Sequence, residues 1–314
     1  MCVIENNDLV TDPTDVSNSF NKYYSSVAEN ILNKRNFVGD GNFMKYMPDP
    51  LSNSIFIEKV DADEVEKLIK SFDTNKGTGP FSIPPKIMNL ICESIAHPIS
   101  KIANLSFLTG VHPEKLKVAK VVPIFKSGSK MLTSNYRPIS LLSNLNKILE
   151  KLMFVRVLSF LDKENVIYKQ QFGFRPKHST THAIISITEK IREALDKGKF
   201  ACGVFVDLQK AFDTVNHEVL LKKLYQYGIR GNTYEWFKSY LTDRLQFVSI
   251  LGFDSDKLSI KHGVPQGSVL GPLIFLIYIN DLYKAPFTVR GSTLSTRGSK
   301  NKSLNTSKPL VCIL

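Results

Sequence analysis

Apolar positions along this chain recur at two spacings, helical and alternating, and each spacing marks out elements. In residues 1–50, Val16, Phe20, Tyr23, Val27 and Ile31 share one helical face and predict a single amphipathic helix. A Gly/Asn/Pro-rich link from Val38 to Pro50 follows. Asp61-Ala-Asp-Glu64 reads as a helix start, with a capping carboxylate and acids in the first turn, and Val65, Leu68, Ile69 and Phe72 carry the period on. Lys76-Gly-Thr-Gly-Pro80 breaks the chain, and two short helices are expected between Pro85 and Leu108. Ala119 to Phe125 reads as a strand and Lys126 to Lys130 as a turn. Leu145, Ile148, Leu152 and Val155 mark a long helix. A second helix spans Ser179 to Lys197, with Ile184, Ile187, Ile191 and Leu195 as its buried face and Gly198 as its stop. Residues 201–207 read as a central strand, and helices follow near 217–227 and 232–242. Leu245 to Ile250 and Lys257 to Ile260 form a hairpin, and a last helix runs to about Asn280.

Charge changes that picture more than composition does. Hydrophobic content of 43% and charged content of 22% are ordinary for a globular chain, but Lys and Arg outnumber Asp and Glu by 41 to 29. A net charge of +12 with 10% aromatic residues suits a polyanionic partner, most simply nucleic acid. From Pro286 onward there are nine Ser/Thr, five basic side chains and no acid, a texture that predicts disorder. Cys2, Cys92, Cys202 and Cys312 are scattered, which supports neither a zinc ribbon nor a disulfide framework. The start has no signal-peptide pattern, and the apolar run from Val269 to Ile279 is too short to span a bilayer. The expectation is an intracellular protein, in nucleus or cytoplasm, with no membrane partner.

Two blocks hold the candidate chemistry. Val204-Phe-Val-Asp207-Leu-Gln-Lys-Ala-Phe212-Asp213 reads as an apolar strand that delivers a carboxylate from its end, where a divalent cation can be held. An Asp in that place is more often a turn residue, so the pattern around Asp207 has to decide. His262-Gly-Val-Pro-Gln266-Gly267-Ser268 is a tight turn whose two glycines allow close backbone approach, with Ser268 placed to cap the helix. His178 and His182 stand one helical turn apart, as metal ligands sometimes do, but no third ligand is evident. No phosphate-binding GxxxxGK[S/T] loop occurs.

Taken together, Val-Asp207-x-x-x-Ala-Phe212-Asp213 followed by Thr-Val-Asn-His217, and His262 through Pro272, resemble the polymerase palm of reverse transcriptases. The resemblance is to those of non-LTR, LINE-type, jockey-like retrotransposons, and it runs from about Val60 to Leu282. It implies an α+β fold of right-hand polymerase fingers and palm. It also implies RNA-directed DNA polymerisation, with Mg²⁺ (or Mn²⁺) as cofactor, dNTPs as substrates, and an RNA template with a DNA primer, or an RNA/DNA hybrid, as partner. Asp207 matches the catalytic metal ligand, and Phe212 the ring that excludes a 2′-hydroxyl. Gln266 and Gly267 match the nucleotide pocket. Lys126, and Arg137 in Asn135-Tyr-Arg-Pro, match the residues that hold the triphosphate, for which a point charge and a bidentate fork are suited. Gln171-Phe172-Gly-Phe174-Arg175-Pro-Lys177 resembles the template and primer contact block, with rings to stack and cations for phosphates. Asp213 belongs to the same pattern and is expected to cap the next helix, and His262 to be structural. Lys76 to Pro84 resembles the first block, with Phe81 where an Asp is usual.

The resemblance ends near residue 283, before the Ala-Asp-Asp turn that supplies the family's other catalytic carboxylates, and no Asp or Glu follows Asp281. Asp281, at the C-end of the last helix, is not expected to substitute. The organisation expected is an N-terminal helix and linker (1–50), a fingers-like region (51–200), a partial palm (201–283) and a disordered basic tail (284–314). With no thumb and an incomplete palm sheet, the expectation is a truncated copy whose polymerisation is lost. The alternative function is a catalytically dead nucleic-acid-binding remnant; a group II intron maturase shares the palm but matches less well from Gly263 to Asp281.

Overall fold

The computed structural model describes residues 2–5, 8–33, 43–75, 77–201, 203–284 and 310–312. A short hairpin, Val3–Glu5 (β1) and Asp8–Val10 (β2), precedes helix Pro13–Asn33 (α1). The single N-terminal helix expected for residues 1–50 is therefore shorter and has strands before it. Pro13 supplies a preset φ at the helix start, and Asp12 Oδ1 accepts from the N–H groups of Thr14 and Asp15 at 2.9 and 3.1 Å. The link's residues 34–42 and the basic tail lie outside the described residues, apart from 310–312.

Helices Ala62–Lys70 (α2), Pro85–Leu90 (α3) and Cys92–Thr109 (α4) follow as expected, and Asp61 Oδ1 caps α2 through the Glu64 N–H at 2.7 Å. Strands Val118–Phe125 (β3) and Tyr136–Leu141 (β4) pair antiparallel. β4 was not among the expected elements. Here Pro138 stands opposite Pro123, a pair in which neither residue has an N–H to give, so the ladder tolerates both. Helix Asn144–Lys163 (α5) buries Ile148, Leu149, Leu152, Met153, Val157 and Leu161, whereas the expected Val155 is exposed.

Helix Thr180–Asp196 (α6) forms where expected, capped by Ser179 Oγ. Its expected burial does not hold: Ile184, Ile191 and Leu195 are 62%, 41% and 63% exposed, and only Ala183 is buried. Periodicity shows which side chains share a face; it does not supply a neighbour to cover it. The expected central strand 201–207 is also overturned. Among the described residues of that stretch, Gly203–Phe205 (β5) is extended, and it pairs in parallel with Leu310–Cys312 outside the main sheet, with Phe205 exposed. The central place goes to β3, which pairs in parallel with Arg244–Ile250 (β6).

Between these lie His217–Gln226 (α7) and Gly231–Leu241 (α8). Phe253–Asp254 (β7) and Leu258–Ile260 (β8) both pair antiparallel with β6, and helix Gly271–Ile279 (α9) follows; Leu310–Cys312 is β9. α9 is apolar on every side (Gly-Pro-Leu-Ile-Phe-Leu-Ile-Tyr-Ile) and almost wholly buried, so it runs through the main core with α2, α4, α5, α7 and α8 around it. A second core, Val16, Phe20 and Tyr24 against Val121, Tyr136 and Val248, seats α1 on the sheet. That contact is also keyed by polar groups. Buried Asn21 donates to Asp256 O at 2.7 Å and to Ser255 Oγ at 3.1 Å, and accepts from Gln246 Nε2 at 3.0 Å. The fold is α+β with a mixed sheet. Among the described residues, no helix is long and apolar enough to cross a membrane.

Candidate active site

Three stretches distant in sequence meet around the Pro265-Gln266-Gly267 turn, and backbone hydrogen bonds hold them there. At the end of β4, the Ser140 N–H donates to Gln266 O at 2.7 Å. Gly267 has φ +115°, and a Cβ on it would lie 2.7 Å from Ser140 O, so this approach requires glycine. On the other side, Gly263 N–H donates to Val215 O at 2.8 Å and Val264 N–H to Phe212 O at 2.9 Å. The Val-Pro-Gln-Gly turn is thereby fastened between β4 and the turn that carries Phe212 and Asp213.

Gln266 and Asp213 are joined directly, Nε2 donating to Oδ1 at 2.8 Å. Burial raises the Asp213 carboxyl above its ordinary value, while the Gln266 bond and nearby Lys210 favour its charge. The expected cap role of Asp213 is corrected: Asn216 caps α7, its Oδ1 accepting from Val219 N–H at 3.0 Å. His217 Nε2 meets Gly263 O at 2.7 Å; a carbonyl only accepts, so the ring nitrogen carries the proton there. Lys210 Nζ lies 5.6 Å from the Tyr23 ring centroid, which brings α1 to the same neighbourhood.

Beneath the turn sits a residue the sequence reading missed. Glu150, on the buried face of α5, accepts from Val269 N–H at 2.6 Å, Asn146 Nδ2 at 2.7 Å and Tyr240 Oη at 2.8 Å. Burial raises its pKa, opposed by Arg244 and these donors. An acid between Leu149 and Leu152 on an apolar face was the available signal, because such a group must find donors. Ser268 completes the helix entry, its Oγ accepting from Gly271 N–H at 2.9 Å.

The cations stand as the register places them. Arg137 pairs opposite Ile124, and Lys126 follows two residues later on the same face of the β3–β4 hairpin. The other face, with Phe125 and Tyr136, turns toward Phe20 on α1, leaving Lys126 and Arg137 exposed. Phe212 stacks on buried Phe275 of α9 at 4.8 Å and 29°. Asp207 is exposed, just past β5, and among the described residues no hydrogen bond or ion pair ties it to this junction.

The Gln171–Lys177 stretch divides. Gln171 is buried and its Nε2 donates to Gly173 O at 3.2 Å; Phe172 lies beside His178 at 6.0 Å. Arg175 donates to Tyr168 O at 3.4 Å and pairs with Asp162 at 3.9 Å, while Lys177 is exposed. Phe174 turns the other way and meets the Phe212 ring edge-on at 5.7 Å. His178 and His182 rings sit 6.4 Å apart, and among the described residues no group of three His, Cys, Asp or Glu could hold a metal. Asp281 is buried in an ion pair with Lys223, so its charge is committed to α7. A two-metal centre needs several carboxylates, and Asp207 alone does not fit that requirement.

The junction thus brings a cation-bearing β-hairpin, the Pro-Gln-Gly turn and the turn that carries Phe212 and Asp213 into one neighbourhood. A family model for reverse transcriptase (RNA-dependent DNA polymerase) matches residues 124–288, more than half of the chain. The chain belongs to the reverse transcriptase family. It is 33% identical over 239 residues to the RNA-directed DNA polymerase from mobile element jockey of Drosophila melanogaster, covering 76% of this chain and 26% of that protein. It is 32% identical over 234 residues to the probable RNA-directed DNA polymerase from transposon BS of the same fly, covering 74% and 26%. To the Pol polyprotein of retrotransposable element R1 of Bradysia coprophila it is 27% identical over 230 residues, covering 72% and 22%. These relatives place the domain with the non-LTR, LINE-type elements, and the chain spans about a quarter of their length.

Proposed function

We propose that this region binds a nucleotide over a recessed RNA/DNA hybrid, as the fingers and part of the palm of a retrotransposon polymerase. The observation that carries the reading is the Gln266–Asp213 bond inside a junction of three family blocks. Lys126 and Arg137 would meet the triphosphate, Gln266 and Gly267 would line the pocket, and Phe212 would lie beneath the sugar. Phe172, Arg175 and Lys177 would face template or primer, with Gln171 bracing their loop from inside. The family resemblance assigns Asp207 to a divalent ion such as Mg²⁺, for which one carboxylate does not suffice. Residues 51–200 are read as fingers-like and 201–283 as a partial palm, served by dNTPs in the nucleus or cytoplasm.

Two-metal polymerisation requires several carboxylates held together, and Asp207 is exposed and stands apart from the junction. That placement favours a second reading, hybrid binding without primer extension. Primer extension on an RNA template, with dNTPs and Mg²⁺ or Mn²⁺ and an Asp207→Ala control, tests both. Extension lost in the control supports the polymerase. Salt-sensitive hybrid binding without extension supports the binding remnant. Absence of both refutes the two readings together.

A further inference from the structure

We propose that Phe174 is a specificity-determining residue of the sugar site, holding the Phe212 ring in position, and is not a template contact. This rests on the reading of Phe212 as the residue beneath the sugar.

Three rings are joined in series. Phe275, 7% exposed, is the anchor within α9. Phe212 stacks on it at 4.8 Å with the planes 29° apart, and Phe174 makes a second, edge-on contact with Phe212 at 5.7 Å and 88°. A ring that excludes a hydroxyl by contact must not yield, and a Phe side chain with only one neighbour can rotate away. The edge-on contact removes that freedom. Aromatic pairs of this geometry also attract, because the positive edge of one ring meets the negative face of the other.

The backbone shows that this placement is imposed. Phe174 has φ +57° and Lys177 φ +62°, a region that non-glycine residues seldom occupy. Strain of this kind persists where surrounding contacts over-determine it. Those contacts are present: buried Gln171 holds Gly173 O from within the turn, Arg175 holds Tyr168 O and Asp162, and His178 N–H closes on Arg175 O at 3.3 Å. A ring meant to stack on an unpaired base has no need of this conformation. Phe172, two residues earlier, points to His178 and remains available to nucleic acid. Phe174 is nonetheless 58% exposed, so its ring is not sealed in the core.

The test compares equilibrium binding of dATP and ATP to the full chain on a recessed RNA/DNA hybrid with a templating uracil. Hybrid affinity is measured separately, for wild type, Phe212→Ala, Phe174→Ala and Phe174→Tyr. Wild type should prefer dATP, and Phe212→Ala should abolish the preference. Phe174→Ala should weaken the preference by about two- to tenfold, the range expected for loss of one aromatic pair, with hybrid affinity unchanged. Phe174→Tyr, which keeps the ring, should retain it and guards against a folding defect. If Phe174→Ala keeps the preference and loses hybrid affinity, the residue is a template contact and the proposal is overturned. If wild type shows no preference, or Phe212→Ala leaves it intact, the sugar-site reading falls first and the proposal with it.

Discussion

Acidification should destabilise this fold through His112, and the size of the effect follows from its surroundings. The imidazole is fully buried against the stacked rings of Trp236 and Tyr240, each 5.2 Å away and nearly perpendicular to it. Burial, with Arg244 and Lys117 nearby, lowers its pKa from 6.5 to about 3. The folded protein thus keeps His112 neutral where the unfolded chain takes up a proton. Stability is fully present above the unfolded value and is lost as pH falls from there toward the folded value. Between about pH 7.5 and about pH 5.5 the unfolded state gains about 1.4 kcal/mol from this one group, and about as much again per further unit until the folded value is approached. Urea denaturation at both pH values reads this directly, and other groups that titrate in the window, such as His217, cancel when His112→Phe is measured in parallel. The wild type should lose about 1.4 kcal/mol more than the variant, with His112→Gln as a second neutral replacement should the larger ring pack badly. Equal losses in wild type and both variants would refute the reasoning.

Three further outcomes follow from the junction beneath the turn. Glu150→Ala should lower stability by about 3 kcal/mol or more, because it strands buried donors on Asn146, Tyr240 and Val269, and Glu150→Gln should cost less; denaturant midpoints check both. Gly267→Ala should cost at least about 1 kcal/mol and weaken nucleotide binding, since its Cβ would press on Ser140 O; melting and nucleotide titration report the two effects. Asp213→Ala and Gln266→Ala should each weaken nucleotide binding, and the double variant should be no weaker than the worse single one. Additive losses would show that the two residues act apart.

How far the sequence was legible depended on which force decided each part. Local signals succeeded: Asp61 capped α2, Ser179 capped α6, and the apolar run from Gly271 was the buried α9. Failures came where a distant partner decided. The place of β4 depends on its pairing with β3, where Pro138 stands opposite Pro123, and the apolar Gly203–Phe205 stretch pairs with β9 outside the main sheet while β6 pairs with β3. The Gln266 turn was recognisable as a motif, and its glycines were read correctly as permitting close approach. Asp213 was misjudged because a carboxylate before a helix usually caps it. Here Asn216 stood nearer the helix, freeing Asp213 for a partner 53 residues away. Glu150 went unnoticed because an acid in a helix is normally solvated.

The seating of α1 on the sheet sets an order of events during synthesis. Asn21 finds its partner Gln246 only 225 residues further along the chain, and β3 waits on the same strand, β6. At about 5–20 residues per second, roughly 10–45 s pass between the emergence of the first helix and that of the strand it docks against. Until then Val16 and Phe20 have only the β3–β4 hairpin to pack against, through Val121 and Tyr136, and that hairpin lacks one neighbour. Helix α1 is therefore fully fixed only when β6 has been made, and a nascent chain stalled before residue 244 leaves part of that apolar face open to chaperones or to other unfinished chains.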